Sequence, residues 1–292
     1  MTQFKPQKGK AYENLPAKTL ATFNDTEYLV STKYDGNQIF ITKLGNEVRL
    51  FTSDWKEFGL ELIEDELRFV SDDFVLIAEF MHGCEGKLGD RVNSAILTTY
   101  RTNYNKCVAN VPINQSKTNI KVFDALAIKN DKVVTNIKYS DRLKYAKQLT
   151  EGLKYISTIE VNTMTGANAM RILGSQINSG WEGFMLVEAN SIYHTGKRVN
   201  HSIKLKSRKT ADLLCIGVEG GEGKYTGMIG ALVLQDKAGR ICRVGSGLDN
   251  SMRALDMWHF KDAIIEIEYE QLMDTYIQPT FIRIRRDKKE SD

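Results

Sequence analysis

Short strand-like runs separated by glycine-rich turns fill the C-terminal part of the chain. The predicted strands are 213–218, 230–236, 241–244, 264–269 and 280–284. Residues 252–261 have helical spacing between the third and the fourth strand. Five short strands with one helix suit a small β-barrel of the OB type, because closing a sheet removes its exposed edges. The segment 220–224 is rich in glycine but lacks the spacing of a phosphate-binding loop, so we interpret it as a connection between two barrel strands.

Strands and helices are mixed in the part of the chain before residue 210. Residues 1–27 are polar and predict a loop or short helix, and the polar segment 83–119 is interpreted as a surface insertion. Apolar runs predict strands at 28–30, 38–41, 48–51, 74–78, 120–128 and 181–187. Helical spacing of apolar residues predicts helices at 56–70, 140–153 and 165–176. This mixture predicts the α+β class.

The composition limits the classes of protein to which the chain can belong. Hydrophobic residues make up 42% and charged residues 26% of the 292 residues, as in soluble globular proteins. The net charge is only +3, so binding to a polyanion has to come from local clusters of charge. We expect no membrane helix, because there is no run of about 18 apolar residues, and no secretory signal, because the N-terminus is polar. The four cysteines and four histidines show no metal-ligand spacing, which fits a reducing cytoplasm.

A lysine followed by Asp-Gly after a predicted strand is the first candidate for chemistry. Lys33 and Asp35 are two residues apart, so an extended chain places both side chains on one side. A lysine is a nucleophile only after it loses its proton, which desolvation or nearby positive charge favours. The alternative is an ordinary hairpin, with an exposed lysine and a turn at Asp35-Gly36 before a strand at 38–42. These residues alone favour the hairpin, so the rest of the chain has to decide.

Charged residues also mark three other predicted strands. Glu79 ends the strand 74–78, and Glu182 stands at the start of the strand 181–187. Lys204 and Lys206 alternate with apolar residues, so they share one face of a strand, either as a solvated edge or as a pair that faces phosphate. The surrounding stretch 197–209 contains no acid, and its basic residues are Lys197, Arg198, Lys204, Lys206, Arg208 and Lys209.

Taken in order, six segments resemble the ATP-dependent DNA ligases of the covalent nucleotidyltransferase superfamily. They are Lys33-Tyr34-Asp35-Gly36, Glu79 at a strand end, 123–126, 182–186, 203–206 and 281–288. Each segment is a weak signal alone, but together they keep the order of the family and span nearly the whole chain. The resemblance implies an ATP-grasp-like nucleotidyltransferase domain of antiparallel sheets flanked by helices at residues 1–208. A small OB-fold β-barrel would follow at residues 209–292.

The resemblance implies covalent catalysis by Lys33. Its nitrogen would attack the α-phosphate of ATP, form lysyl-AMP and release pyrophosphate. Lys204 and Lys206 would stabilise the developing charge and favour loss of the Lys33 proton. Glu182 and Asp35 would bind Mg²⁺ or Mn²⁺, which are hard cations that prefer oxygen ligands. AMP would then pass to the 5′-phosphate of a DNA nick, and the 3′-hydroxyl, oriented with the help of Asp35, would attack to seal the strand.

The resemblance also implies how ATP is bound. Glu79 would approach the ribose hydroxyls, and Phe123 would stack on the adenine. Arg283, Arg285 and Lys288 would come from the OB domain to orient pyrophosphate while Lys33 is adenylated, which requires domain closure. The predicted ATP-contacting residues are Ser31, Thr32, Glu79, Phe123, Glu182, Lys204, Lys206, Arg283, Arg285 and Lys288.

Two positions depart from the pattern of that family. An arginine usually stands two residues after the glycine of Lys-x-Asp-Gly, where this chain has Gln38. A Ser-Arg pair usually follows on the third strand, where Ser53 precedes Asp54. Those arginines typically hold the 5′-phosphate of the nick, so the usual phosphate contact is in question here. From charge alone, the candidates to replace them are Arg49, Lys87, Arg91 and Arg101.

Other functions stay open at this point. An RNA ligase or an RNA-capping guanylyltransferase is the alternative within the superfamily, although the cationic segment 283–288 favours a DNA ligase. A non-catalytic nucleic-acid-binding protein would explain the missing arginines but not the retention of Lys33. The resemblance implies a compact viral or bacterial enzyme of replication or repair, with nicked double-stranded DNA as its partner. We expect a monomer without membrane contact in the cytoplasm, or in that of the host cell if the source is viral.

Overall fold

The chain divides into two compact units, Met1–Lys206 and Ser207–Asp292. The computed structural model describes residues 5–88, 115–206, 209–269, 271–272 and 274–291. Most of the insertion that was predicted at 83–119 lies outside these residues. Within them, no helix is both long and apolar enough to cross a lipid bilayer.

The N-terminal unit consists of two β-sheets and the helices that cover them. Its strands are β1 (Lys8–Ala11), β2 (Glu27–Thr32), β3 (Asn37–Leu44), β4 (Glu47–Thr52), β5 (Glu57–Phe58), β6 (Phe74–His82), β7 (Thr118–Lys129), β8 (Lys132–Val133), β9 (Ile156–Thr158), β10 (Asn162–Thr165), β11 (Gly183–Val187) and β12 (Arg198–Lys206). Its α-helices are α1 (Ala17–Phe23), α2 (Glu61–Arg68), α3 (Tyr139–Thr150) and α4 (Gly166–Asn178). Short 3₁₀ helices lie at Tyr12–Asn14 and Gln115–Lys117.

Strands that are adjacent in sequence are divided between the two sheets. The first sheet has the order β1-β12-β11-β2-β10, in which only the β1–β12 pair is parallel. The second has the order β5-β4-β3-β6-β7-β8, and β9 pairs with β7 in parallel. Since β2 and β3 belong to different sheets, residues 33–36 carry the chain from one sheet to the other. The alternative of a hairpin at Asp35-Gly36 is therefore wrong.

Each sheet buries one face under helices. Helix α2 places Ile63 and Leu67 in a core with the second sheet, and α3 adds Ala146 to it. The first sheet packs Val30 and its neighbours against α4 and Phe23. The opposite faces of the two sheets remain to line the cavity described below.

Three elements of this unit differ from their predicted form. The helix expected at 56–70 begins later, because Glu57–Phe58 pairs with β4 as the short strand β5. The strand expected at 74–78 continues to His82, because β7 pairs with it along its whole length, so Glu79 lies inside a strand and not at its end. The N-terminal segment contains strand β1, whose partner β12 is distant in sequence.

The C-terminal unit is built on a five-stranded antiparallel sheet with the order β15-β14-β13-β16-β19. Its elements are β13 (Lys209–Gly220), β14 (Ile229–Gln235), β15 (Ile241–Val244), α5 (Asn250–Arg253), β16 (Ile264–Tyr269), β17 (Gln271–Leu272), β18 (Tyr276–Ile277) and β19 (Thr280–Ile284). The predicted strands are all present, and the segment 220–224 connects β13 to β14 as expected. The helix predicted at 252–261 is interrupted, because Asp249 and Asp256 each cap a separate short helix.

Candidate active site

A cavity of about 340 Å³ in the N-terminal unit is lined by residues of both sheets. Ser31 and Lys33 reach it from the first sheet, and Glu79 and Phe123 reach it from the second. Lys204 of β12 lies on the same wall as Lys33. Lys33 and four of the predicted ATP-contacting residues therefore meet around one cavity, although they lie far apart in sequence.

The Lys33 side chain contacts a buried carboxylate. Its backbone N–H donates to the Gly183 carbonyl at 2.9 Å, which continues the pairing of β2 with β11 and holds the lysine beside Glu182. The Lys33 Nζ donates to Glu182 Oε2, and the Lys206 Nζ donates to Glu182 Oε1 at 3.2 Å. Glu182 thus lies between two lysines. Lys33 has to release this contact before its nitrogen lone pair can attack an electrophile.

Two glycines allow the backbones around Lys33 to approach closely. A Cβ at Gly36 would lie 2.6 Å from the Phe80 carbonyl oxygen of β6. Gly183 has a φ of +141°, and a Cβ there would lie 2.9 Å from the Lys206 Cα of β12. The motifs Lys-x-Asp-Gly and Glu-Gly therefore end in glycine because their neighbours leave no room for a side chain.

The cavity wall around Lys204 is strongly cationic. Burial lowers the pKa of Lys204, and the charges of Lys33, Lys206 and Arg198 lower it further, whereas Glu182 acts in the opposite direction. Like charges repel when they are held together, so an anionic group that enters this wall relieves the repulsion. The arrangement suits a phosphate chain.

Glu79 has an unusual protonation equilibrium. Burial raises the pKa of Glu79 to about 7, and the nearby carboxylates of Glu182 and Asp35 add to the rise, whereas Lys33 and the Gly36 N–H oppose it. Its Oε1 accepts a hydrogen bond from that N–H at 3.1 Å. Near neutral pH this carboxyl can donate as well as accept, which matches the needs of a sugar hydroxyl.

A buried ion pair fixes the far end of the cavity, where Phe123 lies. Arg142 of α3 donates from Nε to Asp124 Oδ1 at 2.7 Å and from Nη2 to Asp124 Oδ2 at 2.9 Å. The Tyr139 hydroxyl donates to the Phe123 carbonyl at 3.1 Å. These contacts fix the stretch of β7 backbone that carries the Phe123 ring. Sequence reasoning missed Arg142, although an acid inside the apolar run of β7 was a signal that a buried cation had to lie opposite.

The N-terminal segment supplies a wall of the cavity that the sequence did not predict. Gln7 lines the cavity, its backbone N–H donates to the Tyr193 hydroxyl at 3.0 Å, and its Oε1 accepts from the His194 N–H at 2.7 Å. Arg198 of β12 donates to the Gly9 carbonyl at 3.0 Å. No local pattern could have shown this, because the partners lie almost 190 positions away.

Two other predicted site residues of the N-terminal unit, Thr32 and Asp35, do not line the cavity. The Thr32 Oγ1 accepts from Gln176 Nε2 of α4 at 3.1 Å, so this side chain lies on the helix-covered face. The Asp35 side chain is buried, and its backbone N–H donates to the Gly86 carbonyl at 2.9 Å. Three residues of the C-terminal unit were predicted to contact ATP, and each is ion-paired with a carboxylate of its own unit: Arg283, Arg285 and Lys288.

The carboxylates of the site suit a divalent cation that is also bound by substrate phosphates. Glu182 is 5% exposed and Asp35 is 6% exposed. Among the residues that the structure describes, no three His, Cys, Asp or Glu side chains could hold a metal ion together. Mg²⁺ in nucleotide sites is typically bound through one or two carboxylates and the phosphates of the substrate. The donor set fits such a shared site and not a cage made of protein alone.

The two departures from the expected phosphate contact have different positions. Gln38 lines the cavity, whereas Asp54 lies in an exposed turn after β4. Of the candidate replacements, Arg49 is ion-paired with Glu47 at 2.8 Å and with Glu57 at 3.5 Å. Lys87 is ion-paired with Glu85 at 2.8 Å. Arg91 and Arg101 lie outside the described residues.

Family models match both units of the chain. The ATP dependent DNA ligase domain matches residues 6–206, and the DNA ligase OB-like domain matches residues 220–285. A DNA ligase of Nitrosopumilus maritimus (strain SCM1) is 24% identical over 242 residues, which are 77% of this chain and 40% of that protein. DNA ligase 2 of Methanosarcina mazei is 24% identical over 304 residues, which are 90% of this chain and 52% of that protein. The chain thus spans about half, or less, of the length of these relatives.

Solved structures show the same fold. One comes from a structure–function analysis of Lig E DNA ligases, on DNA binding with a minimal scaffold. It matches with a TM-score of 0.72 and 19% identity, and the match covers 98% of this chain and 100% of that chain. Another, Pmar-Lig_PreS3, has a TM-score of 0.74 and 21% identity and covers 98% of this chain and 68% of that chain. The predicted fold class is confirmed. Because the catalytic-domain model matches more than half of the residues, the chain belongs to the ATP-dependent DNA ligase family.

Proposed function

We propose that this chain seals nicks that carry a 3′-hydroxyl and a 5′-phosphate in double-stranded DNA, with ATP as the source of energy. The observation that supports this most strongly is the position of Lys33. It lies on the wall of the cavity, in contact with Glu182 and beside the cationic Lys204. A protein that only binds nucleic acid needs no lysine held in this way.

The proposed reaction has three steps. The Lys33 nitrogen forms a bond to the α-phosphorus of ATP, pyrophosphate leaves, and the lysine proton passes to solvent. An oxygen of the 5′-phosphate of the nick then attacks the phosphorus of lysyl-AMP, which frees Lys33 and leaves a 5′-adenylated strand. The 3′-hydroxyl oxygen attacks the phosphorus of the adenylated 5′-phosphate, its bond to the bridging oxygen of AMP breaks, AMP leaves with that oxygen, and the hydroxyl proton passes to solvent. Lys204 and Lys206 stabilise the negative charge of the first step, and Asp35 helps to orient the 3′-hydroxyl.

The lining of the cavity supports the binding roles. Phe123 stacks on the adenine, Glu79 binds the ribose and Ser31 faces the nucleotide. Glu182 and Asp35 would hold Mg²⁺ or Mn²⁺, which supplies positive charge to the phosphates when it is bound. We also propose that Arg283, Arg285 and Lys288 orient pyrophosphate. The domain limits 1–208 and 209–292, the monomeric state and the cytoplasmic location are proposals as well.

Covalent labelling tests the proposal directly. Wild-type protein with Mg²⁺ and ATP labelled at the α-phosphate should become labelled, GTP should not label it, and Lys33→Ala should carry no label. Lys144→Ala is the matched control, because Lys144 is an exposed lysine that pairs with Asp141 on α3. Wild-type protein should then seal nicked DNA faster than nicked RNA. Label on Lys33→Ala, or labelled wild-type protein that seals only RNA, would contradict it.

A further inference from the structure

The chain after β6 folds back against the segment that carries Lys33. The Asp35 N–H donates to the Gly86 carbonyl at 2.9 Å, and the Leu88 N–H donates to the Gly180 carbonyl at 2.9 Å. Residues 86–88 are therefore hydrogen-bonded on one side to the Lys-x-Asp-Gly motif and on the other side to the residues before Glu182. A side chain from this short segment is therefore held near residues that flank Lys33 and Glu182 in the sequence.

The side chain in that position is Lys87. Its Nζ lies 5.6 Å from the ring centroid of Trp181, the residue before Glu182. The Trp181 ring meets the Tyr34 ring edge to face, with centroids 5.6 Å apart, and Tyr34 is the residue after Lys33. A cation over an aromatic face keeps its charge while its position is restricted. We call these three residues, Lys87, Trp181 and Tyr34, the Lys87 ledge.

The present partner of Lys87 can be exchanged for another anion. The Nζ is 2.8 Å from Glu85 Oε2, and the two side chains are 43% and 71% exposed. Exposed ion pairs of this kind contribute little to stability. A phosphate group with higher charge and several acceptor oxygens can therefore displace the Glu85 carboxylate.

The rival cation Arg49 is less suited to this contact. It lies on β4 and is paired with two glutamates. Neither Arg49 nor Lys87 is among the residues that line the cavity. Lys87 lies over Trp181, the residue before Glu182, and Trp181 in turn contacts Tyr34, the residue after Lys33.

We propose that Lys87 binds the 5′-phosphate of the nick, and so supplies the contact for which Gln38 and Asp54 provide no cation. The inference rests on the proposed function, since it concerns the acceptor of AMP in the second step. That phosphate has to reach the phosphorus bound to Lys33, and the Lys87 ledge includes Tyr34, the residue after Lys33. The Trp181 ring restricts the cation, and the nick phosphate replaces Glu85 as its partner.

The proposal is tested by measuring how tightly the lysyl-AMP form of the full chain binds nicked duplexes. EDTA is present to prevent transfer of AMP to the nick. Wild-type protein should bind a 5′-phosphate nick more tightly than a 5′-hydroxyl nick. Lys87→Ala should lose on the order of tenfold in affinity for the 5′-phosphate nick only, as expected for one charged hydrogen bond. Lys87→Met keeps the apolar stem over Trp181 and should show the same loss, whereas Lys87→Arg should retain most of the preference. Lys144→Ala should behave like the wild type.

The outcomes separate this inference from the proposed function. Failure of the wild type to form lysyl-AMP contradicts the proposed function. Normal adenylation with no preference of the wild type for the 5′-phosphate, or an equal loss by Lys87→Met on both nicks, overturns the role of Lys87. A loss specific to the phosphate in Arg49→Ala, with none in Lys87→Met, overturns it in favour of Arg49.

Discussion

At the scale of single residues, Glu79 is the acid whose protonation responds most clearly to its position. It lies inside β6, where burial and the carboxylates of Asp35 and Glu182 raise its pKa to about 7. The sequence suggested a carboxylate at a strand end that approaches a ribose. The structure adds that this carboxyl is half-buried and that its surroundings raise its pKa to about 7. Its protonation state therefore changes within the pH range of ordinary assays.

We expect the free energy of unfolding of the wild type, relative to that of Glu79→Gln, to decrease as the pH rises from 5 to 8. The pKa of Glu79 is about 7 in the folded chain and 4.5 for an ordinary glutamate. The stabilising contribution of the neutral carboxyl is complete below the lower value and is lost as pH rises through the higher one. Glutamine keeps an oxygen for the Gly36 N–H but does not ionise. The difference in free energy of unfolding should change by on the order of 2 kcal/mol.

Chemical denaturation of both proteins at the two pH values measures this change. A difference that stays constant with pH would show that Glu79 is ionised throughout, as an exposed glutamate is.

The sequence predicted some residues of the site and not others for a physical reason. Lys33 and Lys204 belong to short motifs whose chemistry is visible locally. Arg142 is visible only after α3 packs on β7, because its partner Asp124 is 18 positions away. Gln7 reaches the cavity through a parallel strand pair between the two ends of the unit. Contacts of this kind depend on tertiary packing that no local pattern encodes.

At the scale of elements, the spacing of β11 and β12 sets the distance between Glu182 and the two lysines. Gly183 begins β11 with a φ of +141°, and the β12 backbone lies directly over it. A β-carbon here has to move one strand away from the other. The ion pairs of Glu182 with Lys33 and Lys206 therefore depend on a glycine that has no polar group of its own.

We expect Gly183→Ala to destabilise the protein by about 2 kcal/mol or more, because it combines an unfavourable backbone angle with overlap of backbone atoms. The matched control is Gly174→Ala in α4. No atom lies within 4 Å of the position of its Cβ, so the helix propensity of alanine should stabilise the protein by about 1 kcal/mol. Urea denaturation of both variants gives the two signs. Equal effects of the two substitutions would contradict the close approach of β12.

The same packing explains which elements were predictable. The strands of the C-terminal unit and the long strands β6 and β7 were evident from their apolar runs. The boundaries of the elements were less evident from the sequence. Strand β5 includes residues that have helical spacing. The carboxylate of Asp256 caps a new helical turn inside the helix that was expected at 252–261. The division of β2 and β3 between two sheets could not be foreseen, since Asp-Gly has the same local conformation preferences in a hairpin and in a crossing.

At the scale of the whole molecule, each unit has its own hydrophobic core and its own cationic groups. In the C-terminal unit, Arg285 donates to Asp212 at 2.8 Å and to Asp287 at 2.7 Å, and Lys288 also pairs with Asp212. Since Asp212 is buried, substitution of Arg285 or Lys288 would disturb the unit itself. Arg283 is 62% exposed and pairs with Glu266 at 2.6 Å, so it is the member of the set whose chemistry can be tested most cleanly.

We expect Arg283→Ala to slow the adenylation of Lys33 by about tenfold, because the proposal assigns this cation to the pyrophosphate leaving group. Sealing of a nick that already carries 5′-AMP should keep its rate, since no pyrophosphate leaves in that step. Arg243→Ala is the matched control, because Arg243 is an exposed arginine of the same unit that is also paired with a glutamate, Glu219. Single-turnover rates of both steps decide the matter. Equal slowing of the two steps in Arg283→Ala would place Arg283 in DNA binding instead, and unchanged adenylation would remove it from the first step.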